Sequence, residues 1–93
     1  MEKRSGIGMS WKKINKEVYT DNPPCIRQKV VYRNPDHPRV QIVSVKHAET
    51  HADGTGYWCW TEFRVEDPAK NQGAFRTFHR LADAKQFVEE SGL

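Results

Sequence analysis

Four side chains at alternate positions, His47, Glu49, His51 and Asp53 in the stretch HAETHAD, form the group in this chain nearest to metal chemistry. On a persistent strand they would project to one side and offer mixed nitrogen and oxygen donors. They start at a strand end and run into a glycine-bearing loop, and they match no strong zinc spacing. The expectation is therefore a polar surface loop with no metal. The two cysteines, Cys25 and Cys59, are far apart and form no CxxC pair. Cys25 follows Pro24 and could meet a histidine only through the fold, since separation in sequence supplies no Cys–His geometry. HExxH, P-loop, Rossmann glycine and GxSxG patterns are all missing. The chain reads as non-enzymatic and without a cofactor.

The aromatic run GTGYWCWTEFRVED, residues 54–67, carries the strongest signal. Alternation puts Tyr57, Cys59, Thr61, Phe63 and Val65 on one face of a strand, and Trp58, Trp60, Glu62, Arg64 and Glu66 on the other. The first set stays apolar to its end and suits a helix-covered core, with Cys59 as a buried small hydrophobe and not a nucleophile. Trp58 and Trp60 share their face with charges. They either cover a thin sheet, under the segment around Trp11, or form a platform on which bases or a protein partner stack.

Charge adds a second signal. Residues 1–46 hold ten Lys or Arg against four Asp or Glu, a balance of +6, and residues 47–93 hold five against eight, a balance of −3. Lys12, Lys13 and Lys16 cluster before the sheet. Arg27, Lys29 and Arg33 fall on one face of the first strand by strict alternation, whereas Arg39 and Lys46 fall on opposite faces of the second. Such cations either engage phosphates or protect a solvated edge. The candidate binding set is Trp58, Trp60, Arg64, Arg27, Lys29, Arg33, Lys12 and Lys13. It implies a small regulatory or accessory protein that binds nucleic acid through a basic and aromatic sheet surface. The alternative is a protein-binding adaptor or inhibitor using the same aromatic face.

These residues need elements to position them. With 93 residues, 37% of them hydrophobic, the chain suits one small domain with a modest core. Ser10 capping Trp11, Ile14 and Val18 predicts a short helix over 10–19. TDNPPC, residues 20–25, ends it, so residues 1–25 read as an N-terminal extension and 26–93 as the domain. Strands are expected at 26–33, 39–47 and 56–66, with a shorter one at 74–80. LADAKQFVEESGL, from residue 81, reads as an amphipathic helix with Leu81, Ala84, Phe87 and Val88 inward and Gly92 as C-cap. The fold class is α+β: an antiparallel meander of three or four strands packed against a C-terminal helix. No apolar run is long enough to cross a membrane, and the lack of a disulfide framework points to the cytoplasm.

Trp58, Trp60, Phe63, Gly73, Phe75, Thr77 and Ala84, in that order, resemble small sheet-plus-helix DNA-binding domains of the AP2 and integrase arm-binding kind. The likeness covers about residues 56–90. It implies a three-stranded sheet that enters the major groove, with Arg27, Lys29 and Arg33 as basic residues on the first strands. Glu62, Glu66 and Asp67 depart from that pattern.

Overall fold

The computed structural model describes residues 11–69 and 75–93. Five strands, β1 (Lys12–Val18), β2 (Cys25–Arg33), β3 (Gln41–Thr50), β4 (Tyr57–Glu66) and β5 (Arg76–Phe78), precede one helix, α1 (Leu81–Ser91). The strands form a single antiparallel sheet in chain order, β1-β2-β3-β4-β5. The α+β class, the meander and the C-terminal helix are as the sequence predicts. Ser10 and Gly73 lie outside the described residues. Among the described residues, no helix is long and apolar enough to cross a membrane.

Valine and isoleucine make β3 the central strand. Its Ile42, Val45 and Ala48 are fully buried, as expected of apolar residues, two of them β-branched, on a strand flanked on both sides. The β2–β3 turn is set by Asn34: its side chain accepts a bond from the Asp36 amide at 2.8 Å, and its carbonyl accepts one from the His37 amide at 2.9 Å. The β3–β4 hairpin closes through the His51 amide to the Gly56 carbonyl at 2.9 Å. Gly54 takes φ 76° there, a conformation costly for any side chain bearing Cβ.

Helix α1 packs on β3, β4 and β5. Ala84 and Val88 are buried in a cluster with Trp11, Val40, Ile42 and Val65, and Tyr32, Phe63, Phe78, Leu81, Phe87 and Leu93 pack around it. Each large apolar side chain fully buried there contributes roughly 1.5–3 kcal/mol. Gly92 ends the helix at φ 71°, in the left-handed region, while Arg80 stands at the N-cap without a side-chain cap bond.

The N-terminal segment departs from expectation. Residues 12–18 form an edge strand instead of a helix, and all seven side chains are exposed. Too short to persist alone as a helix, this stretch satisfies its backbone groups by pairing with β2, in register from Lys12 with Arg33 to Val18 with Gln28. The sheet therefore starts ahead of residue 26. Trp11 is only 7% exposed and belongs to the core. Phe78, not the half-exposed Phe75, joins that core.

Candidate nucleic-acid interface

Cross-strand partners share a face, so the register sorts every strand side chain. One row reads Lys13, Tyr32, Ile42, Val65, Arg76, and the next Lys16, Val30, Ser44, Phe63, Phe78. This is the helix-side face. The helix covers its β3–β5 half near those two rows. Beyond it come Val18, Gln28, Lys46 and Thr61, then Cys25, Ala48 and Cys59, and finally Thr50 and Tyr57. The opposite, open face carries Glu17, Lys29, Val45 and Glu62 in one row, Ile26, His47 and Trp60 in the next, and Glu49 with Trp58 at the tip.

The candidate residues divide between the two faces. Trp58, Trp60, Arg64, Lys29, Arg33 and Lys12 lie on the open face; Lys13 lies on the helix side. Arg27 does not share the face of Lys29 and Arg33. The β2–β3 register shifts between Ile26 and Gln28, so Arg27 is the extra residue of a bulge and leaves the alternation. Its guanidinium stands 5.7 Å from the centre of the Tyr57 ring and donates to the Asp21 carbonyl at 3.2 Å. Arg39 lies outside β3, which begins at Gln41.

Sorting by face separates the charges. Glu17, Glu49, Glu62 and Glu66, the four carboxylates on the described strands, all belong to the open face. They stand there beside four cations, Lys12, Lys29, Arg33 and Arg64. The helix-side face carries Lys13, Lys16, Lys46 and Arg76 from the ladder, with Arg27 reaching it through the bulge, and no strand carboxylate. Lys16 and Lys46 complete the basic end. Their alternation with neighbouring apolar positions was readable, but their common face depends on the pairing of β1, β2 and β3.

On the open face the aromatics stack in order. His47 lies on Trp60 with ring centres 4.2 Å apart and planes at 17°, and Trp60 faces Trp58 at 6.3 Å and 28°. Trp11 does not cover them, because it belongs to the helix-side core. His47 Nε2 meets Glu62 Oε1 at 2.9 Å, and Arg64 Nε donates to the same oxygen at 2.9 Å. Burial alone would raise the Glu62 pKa. The bonds from His47 and Arg64, together with their charges, outweigh it and hold the carboxyl below its ordinary value.

The alternating HAETHAD residues do not converge on one point. His47 binds Glu62, while Asp53 accepts from the Thr55 hydroxyl at 2.7 Å and amide at 3.0 Å. These two bonds lower the Asp53 pKa. Among the described residues, no group of three or more His, Cys, Asp or Glu could hold a metal. Cys25 and Cys59 are both free thiols, each paired in register with Ala48 from opposite sides. That leaves them two strand spacings apart, about 9.6 Å between Cα atoms, beyond the reach of a disulfide. Cys59 is exposed and not buried as expected, because its row lies beyond the helix. An open depression of about 440 Å³ beside β2 is lined by Tyr19, Asp21, Pro24, Cys25, Ile26 and Lys29.

Compared with protein-family models, with curated proteins and with solved structures, the chain matches none. The resemblance to sheet-plus-helix DNA-binding domains thus gains no support, and the residues themselves must carry the functional reading.

Proposed function

We propose that this is a small, non-enzymatic accessory or regulatory protein that binds nucleic acid through the part of its helix-side face that the helix leaves uncovered. The observation behind this reading is the charge separation. Lys13, Lys16, Arg27 and Lys46 share a face from which every strand carboxylate is excluded. Cations spread over three adjacent strands match a phosphate backbone better than a point-like anion. Tyr57, half exposed beside Arg27, adds an aromatic surface for a base or sugar. Two free thiols too far apart to bridge suit a reducing compartment such as the cytoplasm.

Fluorescence anisotropy with labelled single- and double-stranded DNA and RNA, at several salt concentrations, tests the proposal. Charge reversal at Lys16, Arg27 and Lys46 should abolish binding, whereas reversal at Lys12 and Arg33 on the open face should weaken it far less. Absence of binding by the native protein at low salt would remove the reading.

A further inference from the structure

The aromatic end of the open face is a second surface, independent of the nucleic-acid reading. We propose that it receives arginine side chains from an extended basic segment of a partner protein, with Trp58 as the stacking surface and Glu49 as the counter-charge.

The argument starts from order. Trp58 is 47% exposed, yet it stands at the end of a stacked series built on Trp60 and His47. The His47–Glu62 bond of 2.9 Å fixes the base of that series. A large ring held in place loses little freedom on binding, which is the condition under which an exposed aromatic contributes most.

Charge then selects the ligand. The two rows at this end contain Ile26, His47, Trp60, Glu49 and Trp58, with no lysine or arginine. Glu49 is the register partner of Trp58 and is exposed. Asp53 follows in the adjoining turn, its carboxylate accepting the Thr55 hydroxyl and amide. Phosphates are repelled by such a surface, whereas a cation is drawn both to the indole face and to the carboxylate. Arginine fits better than lysine, because its planar guanidinium stacks on the ring while its edge binds Glu49. Trp60 lies within the stack between His47 and Trp58, so it supports the platform while Trp58 offers the ring to a guanidinium. The whole chain is net positive at +3, so generalised attraction does not favour a basic peptide. Binding would have to come from this local site.

The test uses the full chain and a capped Gly-Arg-Gly-Arg-Gly peptide, with lysine and citrulline counterparts as probes. Binding is followed by the indole N–H resonance of Trp58 and, in variants that lack that indole, by the backbone amide resonances of Glu49 and Trp60. The arginine peptide should shift that resonance saturably, the lysine peptide should bind more weakly, and the neutral citrulline peptide should leave it unmoved. Trp58→Ala and Glu49→Gln should each weaken arginine-peptide binding roughly three- to tenfold. Trp58→Phe, which keeps a ring, should retain most of it. Both residues are exposed, so circular dichroism should show these variants folded. Oligonucleotide affinity should not change in any of them, so either surface can fail without the other. Equal binding of the citrulline peptide, an arginine affinity indifferent to Trp58→Ala and Glu49→Gln, or an oligonucleotide that moves the Trp58 indole in place of the peptide would each overturn the proposal.

Discussion

Glu62 connects stability to pH through identifiable bonds. Its carboxyl is held below the ordinary value by His47 and Arg64 against the opposing effect of burial. A depressed folded-state pKa gives a stabilisation that is complete above the ordinary glutamate range and disappears as pH falls through the folded-state value. Denaturant midpoints measured from neutral to acid pH should fall over that window, and Glu62→Gln should flatten the slope. At Ile42, which has no exposed surface, substitution by alanine should cost about 2–5 kcal/mol in urea unfolding, because it leaves a cavity among Val65, Ala84 and Val88. Trp58→Ala should cost about 0.5 kcal/mol or less, as for other surface positions. The contrast between these residues was legible in the sequence. Alternation along residues 57–66 placed Phe63 and Val65 against the tryptophans, and the register keeps them on opposite faces. The position of Arg27 was not legible, since a bulge shows itself only when two strands are laid together and one is found a residue long.

Among the elements, the helix was the most readable. Leu81, Ala84, Phe87 and Val88 announce its inward stripe, and Gly92 its end. Arg80 shows where it can be strengthened: no side chain at the N-cap accepts from the first-turn amides. Replacing Arg80 with Asp should add about 0.5–2 kcal/mol, seen as a higher melting temperature. Strand β1 was the least readable. Its alternation is spoiled by the register shift between Lys13 and Asn15, and its exposed side chains carry no burial pattern. Trp11, Ile14 and Val18 at spacings of three and four imitate a helical stripe, but only Trp11 is buried; Ile14 and Val18 remain exposed. What holds β1 is its hydrogen-bond ladder, together with the anchor of Trp11 just ahead of it. Trp11→Ala should therefore cost about 3–5 kcal/mol. Removing residues 1–19 should destabilise the remaining sheet, not leave an intact domain, and thermal unfolding measures both changes.

Over the whole molecule, the bulk charge of +3 hides a division between faces. If four helix-side cations engage phosphates, log K should fall with log salt at a slope of about −3.6 for duplex DNA and about −2.8 for a single strand. A salt titration with each form measures both slopes, and loss of Lys46 should make either shallower by roughly one contact. Nothing in residue order announces this division, because it arises only once β1, β2 and β3 lie side by side. The placement of the two cysteines gives the division a built-in chemical reporter. Cys59 is exposed and Cys25 half-buried, both on the basic side of the sheet and neither on the tryptophan side. An alkylating reagent added to the unaltered protein thus distinguishes the faces. Oligonucleotide should slow modification of Cys59, whereas a ligand resting on Trp58 should leave its rate unchanged. Mass spectrometry thus shows whether a partner rests on the basic side, without a label or a mutation.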